Sequence, residues 1–279
     1  MSTHTFAKTT ASIAAWNLAT FESLSDDRIK LQANGLRLLD AEIITLVEIK
    51  NEDHLKKLVA YLSIGEVKYD YSLIEQSQTG SNSNHSAMHI GVVFKEGVVV
   101  SNPELMAGSD LGNTGYRKAF LCDVEVGNFS FKLIGVHLKS GRAVAQQKIR
   151  DEQCKVIGDY IKTVRGTSNR NPDVLLMGDF NMIPGQDISN FHHLGGDDMM
   201  DFVSSWDLQE RYSHILPSGR ENLLDGFAIS KRYSTEYIKG SLRLFPMHWT
   251  MGMGQSKYRK EVSDHLPFVA SFDISKSRD

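Results

Sequence analysis

The chain has 279 residues, of which 41% are hydrophobic and 23% are charged, and its formal net charge is −3. This composition indicates a globular protein rather than a disordered chain, and the charge excludes an overall electrostatic attraction to nucleic acid. No apolar run approaches the ~18 residues of a membrane span, and the first ten residues lack the apolar core of a signal peptide. Only two cysteines are present, Cys122 and Cys154, and we expect buried free thiols in a cytoplasmic protein. Secretion after removal of an upstream signal stays an alternative.

The first half of the chain alternates strand and helix patterns. Residues 12–18 predict a strand, and residues 25–39 predict a helix with Ser25 as its N-cap. Residues 43–48 predict a buried strand, and residues 53–62 predict a second helix. Short strands are then predicted at 69–74, 89–94 and 98–100.

The second half repeats this alternation. Gly127-Asn128 separates predicted strands 118–126 and 129–137, which indicates a hairpin, and residues 143–164 predict the longest helix. Four further strands are predicted, at 173–177, 223–229, 237–244 and 266–272. The connecting segments are rich in Gly, Ser, Asn or Met and are predicted as loops, at 76–86, 101–116, 184–196 and 245–262.

Polar ligand residues occur in five short patches, and an apolar run of strand type precedes four of them. The patches contribute one amide, one carboxylate, one imidazole, an Asp-x-Asn pair and an Asp-His pair: Asn17, Glu48, His137, Asp179 with Asn181, and Asp264 with His265. Because Asp179 and Asn181 are two positions apart, a regular strand would point both side chains to one face. Strand ends that meet at one edge would form a pocket of hard oxygen donors with two imidazoles. Such a pocket suits Mg²⁺-assisted attack of water on a phosphate ester.

Each patch also has a purely structural interpretation. Asp179 and Ser263-Asp264 fit turns at strand ends, and a single strand-end histidine such as His137 is more often structural than catalytic. Glu48 is harder to explain in this way, because a carboxylate that emerges from a buried strand is costly unless it is paired or bound to metal. Asp225 interrupts another apolar strand, where its carboxylate can hold the imidazole of His265 in one tautomer.

Taken in order from residue 12 to residue 272, these blocks resemble the endonuclease/exonuclease/phosphatase superfamily of divalent-metal phosphoesterases. The Gly-Asp-Phe-Asn block at 178–181 and the Ser-Asp-His block at 263–265 are the most specific, and the middle of the chain is similar to pancreatic deoxyribonuclease and bacterial relatives. The resemblance implies an α/β fold: a four-layer α/β sandwich of two packed mixed β-sheets flanked by helices. It also implies a single domain, residues 1–279, with a core of about 11–274.

The resemblance further implies a role for each candidate residue. It implies a Mg²⁺ or Mn²⁺ ion at Glu48, Asp264 and Asn17, a water aligned or activated by Asp179, and a phosphate held by Asn181 and Arg117. His265, paired with Asp225, would act as base or stabiliser, and His137 would bind a non-bridging oxygen or protonate the leaving group.

One departure from the family pattern weakens the assignment to a duplex-nicking subtype. In pancreatic deoxyribonuclease a stretch that residues 79–89 match supplies a carboxylate partner to the histidine that His137 matches, yet residues 79–89 contain no acid.

Three functions remain open from the sequence. A nuclease is favoured, acting on DNA rather than RNA, with a basic rim from residues 117, 118, 139, 142, 257, 259 and 260. A phosphatase, or a phosphodiesterase of phospholipids or inositol phosphates, is the alternative, because residues 245–254 form a segment with Met and Trp that suits peripheral lipid contact. A binding module without activity is the third, and the complete set of candidate residues argues against it.

Overall fold

The structure is a computed structural model, and it describes residues 8–19, 24–76, 88–167, 173–196, 199–202, 208, 212–230 and 234–275. These ranges contain fourteen strands and six helices. In chain order they are β1 Thr10–Asn17, α1 Asp26–Leu39, β2 Ile43–Ile49, α2 Glu52–Leu62, β3 Tyr69–Leu73, β4 His89–Lys95, β5 Val99–Leu105, β6 Phe120–Val126, β7 Phe129–His137, α3 Val144–Thr167, β8 Asp173–Asp179, α4 Ile188–His193, β9 Met200–Phe202, β10 His214–Leu216, β11 Gly219–Asn222, β12 Asp225–Ser230, β13 Arg243–Leu244, α5 Met247–Thr250, α6 Gln255–Glu261 and β14 Phe268–Asp273.

Two six-stranded mixed sheets form the body of the protein. The first has the order β13-β14-β1-β2-β4-β3, the second has the order β5-β6-β7-β8-β12-β9, and β10 pairs with β11 in a separate ribbon. The pairs β1–β2 and β7–β8 are parallel, whereas the other pairs within the sheets are antiparallel. The predicted class, an α/β sandwich of two mixed sheets flanked by helices, is confirmed.

Alternating side chains on the strands produce the layers of the sandwich. On β7, Phe131 and Leu133 belong to the larger core, which lies between the sheets and extends under α1 and α2. Ile134 and Val136 belong to a second core, shared with Ile157 of α3. The inner sheet faces approach closely at Gly135, where an added Cβ would lie 2.9 Å from a methyl carbon of Ile90. Each sheet is therefore covered by the other sheet on one face and by helices on its opposite face.

Several predicted elements are confirmed with small changes in their bounds. Helix α1 begins where predicted, since the Ser25 hydroxyl accepts the Arg28 N–H at 3.2 Å. Helix α3 is the longest described helix, and Gly127-Asn128 joins β6 to β7 as a hairpin. Cys122 and Cys154 are buried and free. Within the described ranges, no helix is both long enough and apolar enough to cross a membrane.

Other element predictions are wrong. The predicted strand 237–244 is a single bridge from Tyr237 to Phe272 followed by the two-residue β13, because a turn at Gly240, with φ +79°, interrupts it. The predicted loop 101–116 begins inside β5, an edge strand that tolerates Pro103. The predicted loops 184–196 and 245–262 contain α4, α5 and α6. Of the predicted loop 76–86, residues 77–86 lie outside the described part of the chain.

Candidate active site

The strand ends that carry the candidate residues meet at one edge of the sandwich. In the parallel pair β1–β2, Asn17 lies beside the residue that precedes Glu48. In the parallel pair β7–β8, His137 lies opposite Asp179, and the antiparallel β12 places Asp225 on the other side of Asp179. Strand register therefore aligns Asn17 with Glu48 in one sheet and His137, Asp179 and Asp225 in the other.

Most candidate side chains line one cavity of about 360 Å³. The sequence-predicted residues among them are Glu48, Arg117, His137, Asp179, Asn181, Asp264 and His265. Asn17 and Asp225 do not line the cavity but lie behind it, where both are buried. The structure thus brings the predicted residues together and separates them into lining groups and supporting groups.

Asn17 connects the two sheets through its amide. Its Nδ2 donates to Glu48 Oε1 at 3.2 Å and to Asp179 Oδ2 at 3.1 Å. Its Oδ1 accepts the Ala19 N–H at 2.9 Å. The amide therefore fixes two carboxylates of the site, one from each sheet, through its nitrogen.

Glu48 reaches the cavity through an irregularity in β2. The residue has φ +60°, and the β2–β4 register shifts between Leu46 and Ile49. Such a bulge turns a side chain out of the regular alternation, and it is a common device next to active sites. Burial raises the pKa of the Glu48 carboxyl above its usual range. The carboxylate is thus held where its charge is poorly solvated.

Asp179 is positioned by the glycine that precedes it. Gly178 has φ +133°, and a Cβ at this position would lie 2.2 Å from the carbonyl oxygen of Val136. Only glycine allows β8 to approach β7 this closely before the chain turns. Burial raises the pKa of Asp179 to about 7, and the neighbouring Asp225 carboxylate adds to the rise. A carboxyl of this kind exchanges a proton near neutral pH.

Asn181 does not share a strand face with Asp179, which the two-residue spacing had suggested. Strand β8 ends at Asp179, and Asn181 has the left-handed φ of +51°. Its backbone N–H donates to Asp179 Oδ1 at 2.8 Å, and its Nδ2 donates to the Leu138 carbonyl at 3.2 Å. The Asp-x-Asn spacing therefore serves a turn that immobilises the carboxylate and also places the amide in the cavity.

His265 and Asp225 form a buried pair, with 2.6 Å between His265 Nδ1 and Asp225 Oδ2. Burial opposes protonation of the ring, but the carboxylates of Asp225, Asp179 and Asp264 together raise the pKa of His265 to about 10. The Trp16 indole N–H and the Tyr258 hydroxyl both donate to the His265 carbonyl, at 2.9 Å and 2.8 Å. The imidazole is thus charged at neutral pH and held at both its ring and its backbone.

Ser263 is a supporting residue of the Ser-Asp-His block. Its hydroxyl donates to the Asn17 carbonyl at 2.6 Å and accepts the His265 N–H at 2.9 Å. It therefore joins the end of β1 to the segment before β14.

Asp264, the next residue of the block, points into the cavity. Although burial opposes its ionisation, the nearby imidazole of His214 and the charge of His265 lower the pKa of its carboxyl.

His137 lies between the same acids on the other side of the site. Its Nε2 is 3.6 Å from Asp179 Oδ2 and 3.9 Å from Glu48 Oε1. Burial, with the nearby charges of Arg117 and His265, lowers the pKa of the ring well below its usual value. Its Nδ1 has no hydrogen-bond partner among the described residues. Residues 79–87, part of the segment in which the sequence lacked an acid for this role, lie outside the described part of the chain.

Basic side chains line the same cavity. Arg117 reaches it from the segment before β6, and burial lowers the pKa of its guanidinium. Arg28 and Arg259 also line the cavity, from α1 and α6. Arg259 was predicted for the basic rim. Arg28 was not predicted, because it fits the helical pattern of residues 25–39 and nothing in that pattern marks it as a site residue.

His214 is a cavity residue that the sequence analysis missed. Its Nε2 lies 3.6 Å from Asp264 Oδ2, and its ring lies 4.7 Å from the ring of His265. Two backbone hydrogen bonds of 2.7 Å hold β10 against the Ser-Asp-His block, from Ile215 to Asp264 and from Leu266 to Ser213. Strand β10 has only three residues, so no periodic pattern marks it, and its position depends on pairing with a distant segment.

The donor set of the cavity fits a divalent cation. Three carboxylates share it, those of Glu48, Asp179 and Asp264, and burial raises the pKa of the first two. A cation beside buried acids stabilises their ionised forms, and oxygen donors match Mg²⁺ and Mn²⁺. The residues present therefore fit the type of ion that the sequence suggested.

No family model matches the chain, and no curated protein matches it in sequence. Solved structures match it closely in fold. D. rerio TDP2 complexed with a single-strand DNA product has TM-score 0.67 at 17% identity, over 95% of this chain and 99% of that one. The human Nocturnin catalytic domain with bound sulfate has TM-score 0.67 at 16% identity, over 95% and 94%. Staphylococcus aureus beta toxin has TM-score 0.64 at 16% identity, over 96% and 100%.

These three proteins are members of the endonuclease/exonuclease/phosphatase superfamily. At 16–17% identity the comparison shows the fold, and the chain has the fold of this superfamily. The resemblance inferred from the Gly-Asp-Phe-Asn and Ser-Asp-His blocks is thereby confirmed at the level of architecture.

Proposed function

We propose that the protein is a divalent-metal-dependent phosphodiesterase, with one catalytic domain that spans about residues 11–274. The observation that carries the proposal is the convergence of three carboxylates, three imidazoles, two of them of opposite protonation, and three arginines in one cavity. A structural role for each residue separately would not require this convergence.

Glu48 and Asp264, supported by Asn17, are the residues we propose to hold the ion. When bound, Mg²⁺ or Mn²⁺ supplies positive charge that stabilises the negative charge on the phosphate during the reaction. The hydrogen bond from Asn17 Nδ2 keeps Glu48 oriented toward Asp179. Ligation by Asn17 itself would use Oδ1, which in this arrangement accepts the Ala19 N–H.

Asp179 is the residue we propose to orient the attacking water and to accept its proton, because its pKa lies near neutrality. The water oxygen forms a bond to phosphorus, the bond from phosphorus to the leaving oxygen breaks, and solvent protonates the leaving oxygen. His265 is charged and 4.0 Å from Asp179 Oδ2, so it stabilises the anionic transition state. His137 is neutral and donates a hydrogen bond to a non-bridging oxygen.

Nucleic acid, and DNA in particular, is the substrate we propose. Three guanidinium groups line the cavity, from Arg28, Arg117 and Arg259, which suits a polyanion with more than one phosphate. Arg117 Nε is buried and makes no hydrogen bond within the described residues, so it has a donor to offer to a phosphate oxygen. The D. rerio neighbour is complexed with a single-strand DNA product, which agrees with this choice.

A lipid phosphodiesterase is the second candidate, and one observation favours it. Trp249 on α5 is 67% exposed, in a segment that also contains the partly buried Met251 and Met253. Exposed tryptophan beside flexible apolar side chains suits contact with a lipid surface. The same ring also suits stacking on a base, so the substrate assay decides between the candidates.

The test is a hydrolysis assay with plasmid, linear and single-stranded DNA, RNA, inositol phosphates and sphingomyelin. Each substrate is assayed with Mg²⁺, with Mn²⁺ and with EDTA. We expect cleavage of DNA with either metal and none with EDTA. Cleavage of the lipid or inositol substrates with intact polynucleotides would contradict the choice of nucleic acid, and full activity in EDTA would contradict the metal.

A further inference from the structure

Two imidazoles and one carboxylate form a cluster at one end of the cavity: His214, Asp264 and His265. One ligand atom from each lies within 4.8 Å of the others. His214 Nε2 is 3.6 Å from Asp264 Oδ2, and His265 Nε2 is 3.8 Å from Asp264 Oδ1. We propose that this cluster binds Zn²⁺ or a similar transition-metal ion, and that the bound ion inhibits the protein.

The ratio of nitrogen to oxygen donors distinguishes this cluster from the rest of the cavity. Around Glu48 and Asp179 two carboxylates, which suit Mg²⁺, accompany the imidazole of His137, whose Nε2 is 3.9 Å and 3.6 Å from them. Two imidazole nitrogens with one carboxylate suit zinc, and divalent zinc binds nitrogen donors far more strongly than Mg²⁺ does. Zinc-specific occupation is therefore expected at His214, Asp264 and His265.

His265 is already oriented for this role. Its Nδ1 is fixed to the Asp225 carboxylate at 2.6 Å, which leaves Nε2 directed toward Asp264 and Asp179. A carboxylate that holds the outer nitrogen of a metal-binding imidazole is the usual support of zinc ligands. Zinc takes the place of the proton on Nε2, and that proton is released to solvent.

His214 is oriented as well. The backbone hydrogen bonds from Ile215 to Asp264 and from Leu266 to Ser213 fix β10 beside the Ser-Asp-His block. The planes of the His214 and His265 rings are inclined by 36°. His214 Nδ1 makes no hydrogen bond within the described residues.

The inhibitory part of the proposal rests on the proposed function. Zinc at this cluster engages Asp264, a proposed ligand of the catalytic ion, and His265, the proposed stabiliser of the transition state. Both groups are then withdrawn from hydrolysis. Zinc binding itself does not depend on the proposed function and is measured separately.

The experiment is calorimetric titration of the full chain, free of any affinity tag, with ZnCl₂ in excess Mg²⁺. Wild type is compared with His214→Asn and with His193→Asn, a matched control in which the imidazole lies 3.5 Å from a single carboxylate, that of Asp151. We expect one zinc site in wild type and in the control. We expect its affinity to fall at least about 100-fold in His214→Asn, since loss of a ligand costs no less than loss of a supporting residue.

The proposal is overturned if wild type binds no zinc, or if His214→Asn binds zinc as tightly as wild type. If His214→Asn fails to fold, as judged by its thermal melt, His214→Phe is used because it keeps a ring against His265.

In the hydrolysis experiment, the rate of each variant is normalised to its own zinc-free rate. We expect zinc to inhibit wild type and the control at least about tenfold more strongly than His214→Asn. Zinc binding without inhibition would overturn only the inhibitory role, and zinc binding by a chain that hydrolyses no phosphodiester would instead overturn the proposed function.

Discussion

Two imidazoles approach the same carboxylate oxygen, Asp179 Oδ2, and their environments give them opposite charges. His137 Nε2, at the end of β7, is 3.6 Å away, and His265 Nε2, before β14, is 4.0 Å away. Burial disfavours the proton on both rings, but the Asp225 carboxylate raises the pKa of His265 to about 10, whereas Arg117 and His265 further lower the pKa of His137. The protonation of each ring is therefore set by its charged neighbours, and the Asp225 carboxylate is the partner that keeps His265 charged.

The largest expected effect comes from removing that partner. In Asp225→Asn the charge that keeps His265 protonated is lost and the tautomer is no longer fixed, so we expect kcat to fall by about 10³-fold or more with a smaller change in KM. Steady-state kinetics on the preferred substrate measure this. His265→Ala added to Asp225→Asn should lower kcat little further, because the two residues act as a unit. Fully additive losses would show that they act separately.

A smaller loss of activity, with a gain in stability, is expected for Asp179→Asn. Loss of the proton acceptor should lower kcat at least about 10²-fold. Burial raises the pKa of Asp179 to about 7, so ionisation of this carboxyl destabilises the folded state increasingly as the pH rises from 4 to 7. Without added metal at pH 8, the variant should therefore melt at a higher temperature than wild type. Asp159→Asn, at an exposed position on α3, is the control and should match wild type in both measurements.

A buried imidazole outside the cavity provides a reference for His137. Burial lowers the pKa of His54 on α2 to about 4, while the unfolded chain titrates near 6.5. Between these two pKa values the unfolded state binds a proton that the folded state does not bind. The contribution of His54 to the free energy of unfolding therefore falls by about 2 kcal/mol between pH 7 and pH 5. Denaturant unfolding at both pH values should show a smaller fall in His54→Gln than in wild type. Equal falls would indicate that His54 is protonated in the folded protein.

The smallest effect is expected for Arg117→Lys. Lysine keeps the charge but loses the planar pair of donors that matches a phosphate, so we expect kcat/KM to fall about tenfold. Lys118→Arg is the matched control, because Lys118 faces Asp110 at 3.7 Å and does not line the cavity. A loss equal to that of Arg117→Lys in this control would mean that the effect is not specific to the donor geometry of Arg117.

The site residues at strand ends could be predicted because the pattern that marks them is local in sequence. Asn17, Glu48, His137 and Asp179 each follow an apolar run, and the common edge of parallel strands brings them together. The bulge that turns Glu48 outward, with φ +60°, depends on the register against β4 and leaves no sequence pattern. For the same reason the turn conformation of Asn181 contradicted the expectation of a shared strand face.

Residues whose position depends on distant pairing were not predictable. His214 lies on a three-residue strand that is placed by hydrogen bonds to residues about fifty positions later. Helices α5 and α6 have only four and seven residues, too short to show helical periodicity. Of these short elements, β10 and α6 contribute His214 and Arg259 to the cavity, and the proposed zinc site depends on β10.

Metal-dependent hydrolysis by wild type and Glu48→Gln tests the central claim most directly. Glutamine keeps the size of the side chain and a carbonyl acceptor for the Asn17 amide but removes the charge that we propose to hold the ion. DNA cleavage is measured after EDTA treatment and during a titration with Mg²⁺. We predict that wild type regains full activity on addition of Mg²⁺ and that Glu48→Gln needs at least about tenfold more Mg²⁺ or stays inactive. Equal Mg²⁺ dependence in the two proteins, or cleavage that persists in EDTA, would contradict the account.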